Sequence, residues 1–169
     1  MTPAPRWRPS TDLNVIAFAP RCHPEVRSPA NLVDIVDQLD PAGAERYRRR
    51  DVDSNGTLDT FCNFFVRDAL ASLGVHVPKL RANQLCGFFV TALDWRAVTQ
   101  HEAVMRACSG YPTVAGWVNP KGGPGHVALM IPSVRADVPL CAQAGARNFA
   151  SGTIALAFGN LPVSYWTHE

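Results

Sequence analysis

The spacing of apolar side chains changes part-way along this chain, and no other feature constrains its fold as strongly. Up to Cys108 the spacing is helical. Leu32, Ile35, Val36 and Leu39 predict a helix from Asn31 that Pro41 ends. Cys62, Val66, Ala69, Leu70 and Leu73, flanked by Phe61 and Phe65, predict the strongest helix, over 60–73. Asp59 or Thr60 is its expected N-cap, and Gly74 closes it. Further helices are expected over 81–92 and 100–108. From Thr113 the pattern shortens to strand-like runs over 113–118, 126–132, 138–143 and 162–167. Turn signals such as Asn119-Pro120-Lys121-Gly122-Gly123-Pro124-Gly125 separate them. Helices followed by strands are the order of an α+β domain built on an antiparallel sheet.

With 169 residues, 47% of them hydrophobic, the chain has the size and apolar content of one domain. Residues 1–30 hold six prolines and no sustained periodicity, apart from a short strand expected over 14–18. The domain is therefore expected over 31–169, behind a Pro-rich lead-in. A net charge of +2, from 16 basic and 14 acidic residues, is too balanced to point to a nucleic-acid partner. The run Arg46, Arg48, Arg49, Arg50 is broken by Tyr47 and followed by Asp51 and Asp53, and reads as a solvated loop. No stretch reaches the ~20 apolar residues of a membrane span. Met1 to Pro9 lacks the apolar centre of a secretory signal, so synthesis in the cytoplasm is expected, with any work elsewhere depending on another delivery route. The five cysteines form no CxxC pair, which argues against a disulfide framework or a structural zinc site. The adjacent Cys22-His23 reads as incidental.

Cys62 falls in the first turn of the strongest predicted helix. Unpaired N–H groups and the positive dipole end favour a thiolate there, and with it a nucleophile. A small core residue is the other use of such a cysteine. His126 opens a strand directly after the glycine- and proline-rich turn, where an imidazole can take a thiol proton and return it to a leaving amine; a satisfied edge histidine is the other reading. Gln143, polar within Leu140-Cys141-Ala142-Gln143-Ala144-Gly145, is the candidate to orient that imidazole, with Asn148 in reserve; a strand-end residue bonding to backbone is the other use of Gln143. Trp95, Trp117 and Trp166 lie beside or within strands and read as core or groove lining.

Thr60-Phe61-Cys62-Asn63-x-Phe65-Val66, Gly125-His126-Val127-Ala128 and Ala142-Gln143-Ala144-Gly145 resemble, in this order, the NlpC family of papain-like cell-wall peptidases and the related CHAP group. The resemblance covers residues 31–168. The family's usual Asp before the cysteine and Ser-Gly after it are here Phe61 and Asn63, and the third position, often His, is Gln143. The resemblance implies a papain-like fold, with the nucleophile's helix packed on an antiparallel sheet. It implies Cys62 as nucleophile, His126 as general base and Gln143 as orienting residue. The implied chemistry is cleavage of amide bonds in peptidoglycan stem peptides or cross-links through an acyl-enzyme. The oxyanion would sit at the helix N-terminus on the Cys62 N–H, with Asn63 helping there or capping. A phage lysin or an antibacterial effector acting in the periplasm, with a delivery apparatus and an immunity protein as partners, is the setting that follows.

Upstream, Asp51-x-Asp53-x-Asn55-Gly56-Thr57-x-Asp59 follows the first nine positions of a calcium loop, with Thr57 offering its carbonyl. The glutamate expected at the twelfth position is replaced by Cys62 itself. A structural calcium ion ordering the loop is one reading and an Asx-rich turn the other. The chemistry itself calls for no cofactor. A function of another class is a non-catalytic, calcium-stabilised peptide- or glycan-binding module of the same fold.

Overall fold

The computed structural model describes residues 27–135 and 137–169. The strand expected over 14–18 and the Cys22-His23 pair lie outside these residues. The helix α1, Pro29–Leu39, begins two residues earlier than its spacing predicts and takes in the end of the expected lead-in. Pro29 fits the first helical position, and Ser28 Oγ accepts from the Asn31 N–H at 3.1 Å. A 3-10 turn over Glu45–Tyr47 leads to α2, Cys62–Ser72, and α3, Ala82–Thr91. A short strand, β1 (Trp95–Val98), separates α3 from α4, Gln100–Cys108. The second half then runs β2 (Thr113–Trp117), β3 (His126–Ile131), β4 (Leu140–Ala144), β5 (Asn148–Thr153), α5 (Ile154–Phe158) and β6 (Ser164–His168).

Every ladder is antiparallel, and the strand order is β1-β6-β2-β3-β4-β5. The described residues thus form a mixed fold of five α-helices and a six-stranded antiparallel sheet, compatible with the α+β expectation. Alternation along the strands sends side chains to two cores. Val127, Leu129, Ala142, Ala144 and Trp166 join the apolar faces of α1, α2 and α3. Ala115, Ala128, Met130, Cys141 and Tyr165 pack with α4 and α5 on the other side. Phe65, Val66 and Leu70 of α2 are fully buried, each contributing about 1.5–3 kcal/mol by leaving water. Gly116 marks how closely α3 approaches the sheet, since a Cβ there would lie 2.7 Å from Cys86 Sγ and 2.9 Å from the Trp166 ring. Among the described residues no helix is long and apolar enough to cross a membrane.

Candidate active site

The first turn of α2 is set differently from its sequence expectation. Phe61, rather than Asp59 or Thr60, is the N-cap, and no side chain caps the helix. Asp59 turns its carboxylate back to the Val52 N–H at 3.2 Å, while the Thr60 hydroxyl turns toward the Cys62 sulfur. The Phe61 N–H donates to the Ala144 carbonyl at 3.1 Å, which fastens this turn to the end of β4. The N–H groups of Cys62 and Asn63 that open α2 turn toward the Cys62 sulfur instead.

Cys62 is only 3% exposed. Burial pushes its thiol up. The N–H groups of Val127, Asn63 and Cys62 and the Thr60 hydroxyl, which face the sulfur, pull it down by less. The thiolate expected at a helix start is thus corrected to a resting thiol, because depth of burial outweighs the helix terminus.

His126 and Gln143 are brought together. The ring Nε2 hydrogen-bonds to Gln143 Oε1, and Gln143 Nε2 donates to the Arg147 carbonyl at 2.9 Å. The second bond turns the amide oxygen toward the ring, so Nε2 carries the proton and Nδ1 is left as the basic nitrogen. Phe158 of α5 covers the imidazole, with ring centroids 4.8 Å apart. Burial lowers the His126 pKa, and the Gln143 bond raises it by less. The imidazole is therefore held toward its neutral form.

Extending the β3–β4 register by three pairs beyond Leu129↔Ala142 sets Gly145 opposite His126. A Cβ on Gly145 would lie 2.8 Å from the ring's Cε1 and 3.4 Å from Gln143 Oε1. The missing side chain lets the ring lie across the strand to reach Gln143 on the diagonal. Gly145→Ala should tilt the ring off Gln143, read as a loss of the Nε2–H pattern in the His126 ring ¹⁵N shifts at an unchanged melting temperature. Unchanged ring shifts would show that the strand end yields instead.

Cys62 and His126 belong to opposite core faces but to the same end of β3. The sulfur is faced by the N–H of Val127, the residue after His126. Among the described residues no hydrogen bond joins the Cys62 sulfur to the His126 ring. Asn63, expected at the oxyanion or as a cap, donates through Nδ2 to the Leu80 carbonyl at 2.8 Å and so tethers the first turn of α2 to residue 80. Asn148 donates to the Tyr47 carbonyl at 2.8 Å and does not reach the imidazole. Gly145, Phe158 and Asn83, whose amide holds the turn before His126, escaped the sequence reading. Only Gly145 left a signal, as a glycine directly after a buried strand.

The 51–59 loop is closed by its own side chains. Asp51 accepts from the N–H groups of Asn55 and Gly56 at 3.1 and 2.8 Å, and Asn55 Oδ1 accepts from the Thr57 N–H at 2.8 Å. Among the described residues no group of three or more His, Cys, Asp or Glu side chains is placed to hold a metal ion. Asp51, Asp53 and Asp59 do not form such a group, and the Asn55 side chain is engaged by the Thr57 N–H. A cleft of about 740 Å³ between β1, β6 and α5 is lined by residues such as Val98, Gln100 and Tyr165 and includes none of Cys62, His126 or Gln143.

Burial of ionisable groups makes stability pH-dependent. The thiols of Cys86 and Cys141 are pushed up to about 12 from an ordinary value of 9.0, and that of Cys62 is also raised. Unfolding exposes thiols that ionise near their ordinary value, so stability is lost as pH climbs above about 9. At about pH 10 each thiol should cost about 1 kcal/mol. On the acid side, burial lowers His126 and His168. The unfolded chain then binds more protons below about 6.5, and stability falls there too. Melting temperatures recorded under reductant from pH 5 to 10 should trace a dome, and a Cys86→Ala/Cys141→Ala variant should flatten its alkaline side.

No protein-family model matches the chain, and no curated protein matches it.

Proposed function

We propose that the chain is a papain-like cysteine hydrolase that cleaves amide bonds of bacterial peptidoglycan stem peptides or cross-links. The observation that supports this reading is the His126–Gln143 pair at the end of β3 where the first turn of α2 presents Cys62 to the backbone of Val127. The motifs around Cys62, His126 and Gln143 supply the substrate class. His126 leaves β3 on the face opposite the Cys62 core, so this reading requires the end of β3 to turn the imidazole toward the sulfur.

In the reaction, His126 Nδ1 accepts the Cys62 proton as the sulfur bonds to the substrate's carbonyl carbon. The carbonyl oxygen takes the electron pair and is held by the N–H groups of the first turn of α2. Collapse breaks the C–N bond, and the imidazolium gives its proton to the leaving amine. Water, deprotonated by the same ring, then attacks the thioester and releases the acid, restoring the thiol.

A second reading, a binding module of the same fold, is favoured by the 3% exposure of Cys62. Digestion of purified peptidoglycan sacculi, followed by mass spectrometry, separates the two. The hydrolase should release fragments with new peptide termini, and Cys62→Ala should release none. Sacculi that both proteins bind and leave intact would establish the binding module instead.

A further inference from the structure

We propose that Asn83, in the first turn of α3, is a positioning residue that sets His126 against the Cys62 turn; the proposal rests on the hydrolase reading for its catalytic consequence. Asn83 Oδ1 accepts from the Asn119 N–H and its Nδ2 donates to the Gly123 carbonyl, both at 3.0 Å. These bonds grip the turn between β2 and β3 at two points. Asn119 braces the same turn from within, accepting from the Lys121 N–H at 3.0 Å and donating to the Pro124 carbonyl at 3.3 Å. Gly125, directly before His126, has its Cβ position filled by Asn83 Oδ1, and the Trp117 carbonyl oxygen lies 2.7 Å from it. The backbone that launches His126 is therefore seated on the Asn83 amide.

The same corner holds the nucleophile's side. The Leu80 carbonyl accepts from Asn63 Nδ2 at 2.8 Å, and Asn63 follows Cys62. The Arg81 N–H donates to Gln84 Oε1 at 3.0 Å and stiffens the corner between these two anchors. Residues 80–83 thus tie the first turn of α2 to the turn that launches β3, two segments about sixty residues apart in sequence. Only a group that donates and accepts within one plane makes both Asn83 bonds. Alanine removes both, and aspartate keeps the acceptor but sets a carboxylate against the Gly123 carbonyl.

The test uses the purified protein, with Asn83→Ala and Asn83→Asp beside the wild type. Three quantities are read: kcat and KM on a stem-peptide substrate, exchange of the Asn119 amide, and the ring ¹⁵N shifts of His126. Both variants should lower kcat about ten- to a hundredfold with KM within about twofold, as misplacement of a catalytic group does. The Asn119 amide should lose its protection, and the His126 ring should leave its Nε2–H tautomer for an averaged pattern. Phe89→Leu, which loosens the buried face of α3 without touching the turn, should leave the ring shifts in place. Folded Asn83 variants that keep the wild-type ring pattern and Asn119 protection would overturn the proposal. If neither variant folds, the wild-type exchange decides, since an unprotected Asn119 amide rules out the clamp and a protected one upholds it. The ring and exchange readouts need no substrate, so a wild type that cuts no amide sinks the hydrolase reading alone.

Discussion

His126→Ala should lower the rate of amide cleavage by about a hundred- to ten-thousand-fold while leaving substrate binding nearly unchanged. The size of this loss follows from the state of the thiol. Burial holds Cys62 protonated, so no standing thiolate is available to attack without a base. In the proposed hydrolase His126, lowered by burial and with Nδ1 as its basic nitrogen, is that base. Single-turnover kinetics on a stem peptide would read the chemical step directly. A loss below about tenfold would mean that the thiol is ionised by another route and that His126 is structural. The same burial predicts that wild-type activity survives below the ordinary histidine range, because the ring stays neutral there. Gln143→Glu should narrow that acid tolerance. A carboxylate on the ring's Nε2–H favours the imidazolium, raises the His126 pKa and moves the acid limb of kcat/KM upward. An acid limb that stays in place would remove Gln143 from any role in tuning the ring.

The parts of this site that were legible in the sequence are those set by local pattern. The helix after Cys62 is legible because Val66, Ala69 and Leu70 repeat on one face and end near a glycine. The pairing of His126 with Gln143 is legible because both lie on strands joined as antiparallel neighbours, where diagonal positions meet. What escaped depends on depth and on distant carbonyls. Nothing local to Cys62 reveals how far it is buried, so the direction of its pKa is not legible in the sequence. Asn63 reads as a cap because the Leu80 carbonyl it serves is seventeen residues away. Asn83 carries no motif, and its meaning comes wholly from a turn that folds back onto α3. Two strands escaped for other reasons. β5, Asn148–Thr153, is a half-exposed edge strand with no alternating apolar side chains, and β1 is four residues long. The five residues of α5 are too few to show a helical period, yet they bring Phe158 over the imidazole.

Asp68→Ala should destabilise the fold by about 3–5 kcal/mol, the cost of stripping the anion from a buried ion pair. Asp68 lies on the side of α2 turned toward the 3-10 segment. Its Oδ2 accepts from Arg46 Nε at 2.6 Å and from the Tyr47 hydroxyl at 2.8 Å. Side chains of both Arg46 and Asp68 are more than nine-tenths buried. Arg67, also buried, lies over the Phe64 ring at 5.1 Å, with the Asp68 charge offsetting part of its burial cost. Removing the carboxylate leaves two guanidinium groups and a phenol inside the protein without their anion. Burial and the Asp68 charge together raise the Tyr47 pKa, so the phenol stays neutral and cannot replace that anion. Asp68→Asn keeps an acceptor for the Tyr47 hydroxyl and should cost roughly half as much. The loss is large against the total stability of a domain, about 5–15 kcal/mol. It should lower the melting temperature by about 10 °C or more. The effect should also reach the site, since Tyr47 accepts from Asn148 at the start of β5 and Asp68 shares its helix with Cys62. Chemical denaturation of the two variants checks the figure. A cost below about 1 kcal/mol for Asp68→Ala would show that water enters to solvate the arginines and that the cluster does not hold α2 in place.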